Sequence, residues 1–433
     1  MELSVIILLV TFFVLLFLNV PISFSIGIAT LATMLHSVDF FPAIITVAQR
    51  MIGGINSFAL LAIPFFILSG LIMGQGGIAK RLIKCAMSLI GMLPGGLSLV
   101  NVLSCTLFGG ISGSAVAATS AIGSFMIPEM EKKGYDRNFA AAVTATAATT
   151  GMIIPPSNIL IIYAIASGGV SISALFIAGY LPGILVALSL MLVCVIYAKK
   201  NNFPTEPALP LKEVILNIVN ALPSIMLIFI VIGGIVGGIF TATEAGVIAV
   251  IYSLFLSVFI YKEVKLDELP DILLKAAGIT AIVMFLIAAS SAMSWILSYE
   301  NIPQSITDAM LGLSQNPLMI LLIINIILIV VGAFMDMTPA VLIFTPIFLP
   351  VAESIGVSPI HFGIMMVLNL SIGLCSPPVG SVLFVSCSVA KTSIEKIIRP
   401  MLPLYFAMIV VLMLVTFIPE ISEWLPTQLG LMK

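Results

Sequence analysis

The stretch GMIIPPSN occupies residues 151–158, inside an apolar run that is otherwise long enough to cross a membrane. Two adjacent prolines remove two amide donors and push the preceding residue out of helical geometry, so carbonyl groups lose their intrahelical partners. The stretch GLCSPPVGS at residues 373–381 repeats this arrangement. Unpaired backbone groups in lipid are tolerated only where protein or a water-filled cavity satisfies them. Both stretches therefore predict broken membrane helices, over residues 138–168 and 360–390, beside a polar site.

Two further glycine-rich patches interrupt apolar stretches halfway. The sequence GGISGSA at residues 109–115 interrupts residues 97–131, and GAFMDMTPA at residues 332–340 interrupts residues 318–351. Each stretch predicts a re-entrant hairpin, which enters and leaves the membrane on one side.

The composition excludes a water-soluble protein, because 61% of the 433 residues are hydrophobic and 8% are charged, against roughly 25% charged residues in soluble domains. Barrel strands would alternate in hydrophobicity over about ten residues, and these runs do not. The sequence therefore predicts an all-α polytopic membrane protein with a retained first span. We expect ten crossings, at residues 3–19, 22–38, 57–75, 138–168, 174–198, 214–239, 244–261, 277–297, 360–390 and 402–418.

The two halves of the chain, residues 1–209 and 210–433, match at a constant offset of 222 residues. The matched pairs are Gly110 with Gly332, Pro128 with Pro350, Glu131 with Glu353, Gly134 with Gly356, Gly151 with Gly373, Pro155 and Pro156 with Pro377 and Pro378, and Ser171 with Ser393. Each half has five crossings, an odd number, plus one hairpin, so the second half is predicted to be inverted. Inverted repeats with sites at discontinuous helices are characteristic of secondary transporters.

The basic residues predict the orientation. This topology places all of the 17 Lys and Arg residues on one face except Arg50 and Lys433. Because Lys and Arg favour the cytoplasmic side, both termini are predicted to be periplasmic, in a bacterial inner membrane.

Several function classes lack their sequence signatures. No GxxxxGK[ST] loop or HExxH motif is present, so neither an ATPase nor an intramembrane metalloprotease is predicted, and we expect no enzyme activity. The net charge of −2 indicates no nucleic-acid partner, whereas membrane lipid surrounds the spans. Five cysteines without CxxC spacing predict neither a metal site nor disulfides.

The polar residues of the four patches are the candidate site. Asp336 stands at the second hairpin tip, where a bare carboxylate costs roughly 3 kcal/mol in the membrane and indicates function. Clustered carbonyl and hydroxyl oxygens suit Na⁺, and helix N-termini after the breaks favour an anionic substrate. The patches supply hydroxyls and an amide from Ser112, Ser114, Ser157, Asn158, Thr338, Ser376 and Ser381.

Five motifs across the whole chain resemble the large membrane subunit of tripartite ATP-independent periplasmic (TRAP) transporters, the DctM-like family. They are IPFFILSG (63–70), FGGISGSAVA (108–117), IIPPSN (153–158), FMDMTPA (334–340) and SPPVG (376–380). The resemblance implies an elevator-type, sodium-coupled importer of organic acid anions, with a scaffold and a transport domain. It implies substrate contacts at Ser112, Ser157, Asn158 and Asp336. It also implies at least two Na⁺ ions at Gly109, Gly110, Ser114, Gly151, Gly332, Met335, Thr338, Gly373, Ser376 and Gly380.

The resemblance also implies partners: a small four-helix membrane subunit on a separate chain and a soluble periplasmic substrate-binding protein. The substrate class would be a C4-dicarboxylate, a sialic acid or a sugar acid. The family's usual LTPPVG is altered here to Cys375 and Ser376 before the prolines, and Ser376 keeps the hydroxyl. Two alternatives stay open: a stand-alone Na⁺- or H⁺-coupled anion carrier that needs no binding protein, and a passive channel.

Overall fold

The computed structural model describes residues 2–203, 205, 207, 209–377 and 379–432. Every regular element within these ranges is a helix. Two residues named above lie outside the described residues. They are Pro378, the second proline of the second break, and Lys433, one of the two basic residues placed on the opposite face.

The first half opens with five helices, which are α1 (Glu2–Phe17), α2 (Ile22–Ser37), α3 (Phe40–Ile55), α4 (Ala62–Gln75) and α5 (Ile78–Ile90). Two helices separated by a tight turn then lie where the first hairpin was predicted, α6 (Gly96–Ser112) and α7 (Ala115–Lys132). The first broken span follows as α8 (Arg137–Thr150) and α9 (Asn158–Ala166), and α10 (Ile172–Asn201) completes the half.

The second half opens with four helices, which are α11 (Leu211–Val236), α12 (Ala242–Leu254, continued by a π turn), α13 (Leu269–Tyr299) and α14 (Ile302–Leu313). The second hairpin is α15 (Pro317–Phe334) and α16 (Met337–Ser354), and the second broken span is α17 (Pro359–Gly373) and α18 (Ser381–Ala390). The chain ends with α19 (Ile394–Phe417) and α20 (Glu420–Gln428).

The helix boundaries follow the offset found in the sequence. Helices α7 and α16 begin at Ala115 and Met337 and end at Lys132 and Ser354, so both ends differ by 222 residues. Helices α9 and α18, which follow the two breaks, begin 223 residues apart, at Asn158 and Ser381. The inverted orientation of the halves and their boundary at residue 209 stay predictions.

Eight helices of the described chain are long and apolar enough to cross a membrane. Six of them match predicted crossings, and the other two are the hairpin arms Pro317–Phe334 and Met337–Ser354. The first two predicted crossings have 16 residues each, about 24 Å of helix. The remaining two predicted crossings are the broken spans. The structure thus supports a multi-span membrane protein, and the count of ten crossings stays a prediction.

Both hairpins and both broken spans pack into one body through contacts between the halves. The Tyr163 hydroxyl on α9 donates to the Pro359 carbonyl on α17 at 2.5 Å. The Ser386 hydroxyl on α18 donates to the Ala141 carbonyl on α8 at 2.7 Å. Helix α8 is almost entirely buried at the centre of this body.

A second group of helices, called the scaffold below, consists of α13 with α2, α3, α4 and α12. Helix α13 packs against α2, α3 and α4, and α12 packs against α4. A capping box at Thr241 and Glu244 begins α12. Helix α5 carries three basic residues, Lys80, Arg81 and Lys84. Helices α3, α14 and α20 were not predicted, because their apolar residues do not form runs of spanning length.

Candidate functional site

One cavity of about 320 Å³ joins all four polar patches. Residues from both hairpin tips and from both broken spans line it. The polar side chains among them are Ser112, Ser114, Asn158, Asp336, Thr338 and Ser381. Residues more than 200 positions apart in the sequence therefore share one binding space.

The first hairpin tip turns at Gly113, whose φ of 61° is left-handed and suits glycine. Its N–H donates to the Gly109 carbonyl at 2.7 Å, and Ser114 then caps α7 by accepting from the Ala117 N–H at 3.2 Å. The tip rests on the scaffold, because a Cβ atom on Gly70 of α4 would lie 2.6 Å from the Ser112 carbonyl oxygen.

The first break runs between α8 and α9. The Ser157 hydroxyl donates to the Met152 carbonyl at 2.5 Å and closes this loop, so Ser157 is buried and does not line the cavity. Asn158 does line the cavity, and its Oδ1 atom is buried without a hydrogen-bond partner among the described residues. Such an unpaired acceptor is costly unless a ligand satisfies it.

The second hairpin tip and the second break contact each other directly. The Val379 N–H donates to the Ala333 carbonyl at 3.1 Å. The Ser381 hydroxyl, at the start of α18, donates to Asp336 Oδ1 at 3.4 Å. Asp336 occupies the N-cap position of α16 but its side chain caps no backbone amide, so the exposed carboxylate is free to face the cavity.

Glycine pairs join each hairpin to its break. A Cβ atom on Gly151 would lie 2.2 Å from Gly109 Cα, and one on Gly373 would lie 2.6 Å from Gly332 Cα. Backbone meets backbone at both places, so no side chain fits there. These predicted sodium-site glycines therefore lie behind the tips, close to the broken backbone.

The first break leaves carbonyl groups without donors. Within the described chain, no N–H or O–H donates to the carbonyls of Ile154, Pro155 or Pro156. The Gly380 backbone covers the second break, since a Cβ atom there would lie 2.5 Å from the Leu374 carbonyl oxygen. Ser376 is buried, and its hydroxyl donates to the Ile372 carbonyl at 3.2 Å.

Four helix N-termini converge on the cavity. Helices α7, α9, α16 and α18 begin at Ala115, Asn158, Met337 and Ser381, and all four residues line it. Each helix start carries roughly half a positive charge and unpaired amides. No Lys, Arg or His stands among the described lining residues. The positive potential for an anion thus comes from the backbone.

The opposite wall is apolar and was missed from the sequence. Ile63, Ile67 and Leu71 of α4 and Ile279, Ile282, Val283 and Leu286 of α13 form it. The motif IPFFILSG at residues 63–70 forms part of this wall. Its composition does not distinguish a cavity wall from a lipid-facing helix.

The predicted site residues thus divide into three groups. Ser112, Ser114, Asn158, Asp336 and Thr338 line the cavity. Gly109, Gly110, Gly151, Gly332 and Gly373 lie buried behind it, where hairpins meet breaks. The remaining four, Ser157, Met335, Ser376 and Gly380, are buried and do not line it.

Comparison with known proteins places the chain among transport permeases. Residues 9–421 match the family model described as "Tripartite ATP-independent periplasmic transporter, DctM component". The chain is 49% identical over 423 residues to the uncharacterized protein YgiK of Salmonella typhimurium, covering 98% of this chain and 97% of that one. It is 40% identical over 408 residues to the C4-dicarboxylate TRAP transporter large permease DctM of Pseudomonas aeruginosa, covering 94% and 95%.

A third relative is the sialic acid TRAP transporter large permease SiaM of Vibrio cholerae, 37% identical over 412 residues, with 95% of this chain and 96% of that one covered. Among solved structures, the YdaH transporter of Alcanivorax borkumensis shares the fold with a TM-score of 0.64 at 14% identity, covering 90% of each chain. The DctM and SiaM relatives are described as permeases, which agrees with the expectation of no enzyme activity. Because the family model covers nearly the whole chain, this protein belongs to the DctM family of TRAP transporter large membrane subunits.

Proposed function

We propose that this chain is the large permease of a sodium-coupled TRAP transporter that imports an organic acid anion across the bacterial inner membrane. The observation that carries the proposal is the single cavity in which both hairpin tips and both helix breaks meet. TRAP large permeases work with a small membrane subunit and a substrate-binding protein, and we extend both partners to this chain.

The substrate carboxylate binds against the four helix N-termini. Free amides at the starts of α9 and α18 are hydrogen-bond donors for it. The hydroxyls of Ser112 and Ser381 donate to the bound carboxylate in place of the Ser114 carbonyl and Asp336 Oδ1. Asp336 is an acceptor and so takes a hydroxyl or ammonium donor where the substrate carries one. A sialic acid, a sugar acid or a C4-dicarboxylate is the class of substrate that we expect.

Sodium binds behind the hairpin tips. The oxygen ligands for Na⁺ are the unpaired carbonyls of the first break, the Asn158 Oδ1 atom and the Thr338 hydroxyl. Asn158, which the resemblance assigned to the substrate, is given to the ion here because its buried Oδ1 atom has no hydrogen-bond partner among the described residues. Bound Na⁺ orders the tips and offsets the negative charge of Asp336, so the anionic substrate binds after the ions.

Transport then requires the hairpin and broken-span body to slide against the scaffold. The apolar wall from α4 and α13 suits this movement, because sliding past it breaks no hydrogen bonds. Each net positive charge moved inward gains about 2.3 kcal/mol per 100 mV, so two surplus charges support accumulation by roughly three orders of magnitude.

The test is uptake into proteoliposomes that contain this chain and its small subunit. Labelled dicarboxylate, sialic acid and sugar acids are supplied with the binding protein encoded beside the gene, under an inward Na⁺ or K⁺ gradient. We expect uptake of one acid with Na⁺ only. Equal uptake under K⁺ would refute the coupling, and uptake by this chain alone would favour the stand-alone carrier.

A further inference from the structure

A polar groove lies between α3 and α13, on a different face of α13 from the candidate site. Its volume is about 720 Å³. Thr46, Gln49 and Arg50 line it from α3, and Ser294 and Ser298 line it from α13. The Arg50 guanidinium lies over the Trp295 ring, with Cζ 5.1 Å from the ring centroid.

Among the described residues, Arg50 has no acidic partner. The described chain brings no carboxylate within salt-bridge distance of it, although its guanidinium is permanently charged. Arg50, Gln49 and Ser298 are exposed on the outer surface of the α3–α13 pair. An unpaired guanidinium attracts an anionic group, so the groove suits an anionic occupant.

The groove lies at the end of α13, where the helix leaves the apolar layer. The Trp295 and Tyr299 rings stack there with centroids 5.1 Å apart. Just beyond them, the Glu300 carboxylate accepts hydrogen bonds from Ser4 at 2.9 Å and Ser37 at 2.5 Å. Aromatic residues mark the level of lipid headgroups. The guanidinium is therefore at headgroup depth.

An apolar stripe runs along α3 beside the face that carries Thr46, Gln49 and Arg50. Phe41, Ile45 and Ile52 are 76%, 55% and 67% exposed, and their spacing of four and seven residues places them on one face. The polar face and this stripe together match a molecule with an anionic head and an apolar tail.

We infer that the groove is a phospholipid site, in which Arg50 binds the headgroup phosphate and the acyl chains lie along Phe41, Ile45 and Ile52. Guanidinium groups bind phosphate through paired hydrogen bonds. Thr46, Gln49, Ser294 and Ser298 are hydrogen-bonding groups for the remaining headgroup oxygens. The bound lipid would pin α3 to α13 within the scaffold. The inference does not depend on the transport activity proposed above.

Native mass spectrometry of the purified full chain tests the site. We expect the wild type to retain one phospholipid at a collision energy that removes the others. Arg50→Gln should lower that retention about tenfold, as expected for the loss of a charge-assisted contact. Ser294→Leu should lower it too while the arginine remains. Lys200→Gln, at the exposed end of α10, is the matched control and should retain the lipid.

A thermal-shift titration then identifies the source of the phosphate. Phosphatidylglycerol in bicelles should stabilise the wild type but not Arg50→Gln, and inorganic phosphate should stabilise neither. Equal lipid retention by the wild type and both groove variants would overturn the inference. Equal stabilisation by inorganic phosphate would also overturn it, since the groove would then be a general anion site. Loss of the retained lipid when the small subunit binds would assign the groove to that subunit and overturn it as well.

Discussion

Gly109 and Gly151 meet so closely that a Cβ atom on Gly151 would lie 2.2 Å from the Gly109 Cα atom. The contact joins the first hairpin to the first break, 42 positions apart in the sequence. Gly332 and Gly373 make the corresponding contact in the second half. These two contacts hold the hairpin tips over the broken backbone and so define the cavity.

Gly151→Ala should displace the first hairpin, because its new methyl group would overlap backbone atoms rather than a mobile side chain. We expect about 1–3 kcal/mol of destabilisation and at least a tenfold loss of uptake. Thermal unfolding and proteoliposome uptake measure the two effects. Gly278→Ala on α13 is the control, since its Cβ atom would have nothing within 4 Å. Equal stability of the two variants would contradict the assigned role of Gly151.

Asp336→Asn should reduce uptake at least tenfold, because the amide keeps the size of the side chain but removes the negative charge that faces the cavity. The comparison is Asp308→Asn on α14, whose carboxylate lies outside the cavity and accepts a bond from Gln304 at 3.4 Å. Uptake by Asp336→Asn at the wild-type rate would remove this residue from the site.

Asn158→Ala should raise the Na⁺ concentration needed for half-maximal uptake, because it removes the unpaired Oδ1 acceptor beside the first break. A several-fold rise is expected from the loss of one oxygen ligand. Asn201→Ala, at the exposed end of α10, should leave the Na⁺ dependence unchanged. An unchanged Na⁺ dependence in Asn158→Ala would mean that Oδ1 does not take part in ion binding.

Tyr163→Phe should destabilise the packing between the two halves. It removes the hydroxyl that donates to the Pro359 carbonyl at 2.5 Å, which is worth about 1 kcal/mol. The unfolding temperature should fall by a few degrees. The control is Tyr299→Phe at an exposed position, which should have the unfolding temperature of the wild type. A Tyr163→Phe protein with wild-type stability would show that this bond adds nothing to the junction.

The sequence was sufficient to locate the breaks and the hairpin tips. Diproline and glycine clusters have strong local effects on the backbone, so residues 151–158 and 332–340 were predicted without knowledge of any contact. Asp336 was also recognisable, since a carboxylate in an apolar stretch is rare. The hairpin and break positions predict where the four helices begin. Only the three-dimensional packing shows that their N-termini line one cavity.

The apolar wall could not be predicted. Ile63 and Ile282 line the cavity, yet isoleucine in a membrane span has the same pattern whether it faces lipid or a cavity. The role of Ser157 was equally hidden, because its hydroxyl could have faced the cavity or the backbone. In the structure, the Ser157 hydroxyl donates to the Met152 carbonyl within the first break. Such choices depend on tertiary contacts rather than on residue type.

A structure determined with saturating Na⁺ and the transported acid tests the central claim most directly. We predict that the carboxylate of the acid lies in the cavity against the starts of α9 and α18, with Na⁺ behind the hairpin tips and Asp336 facing the bound molecule. A bound acid outside this cavity, or one held by a basic side chain while the helix N-termini stay unoccupied, would contradict the account.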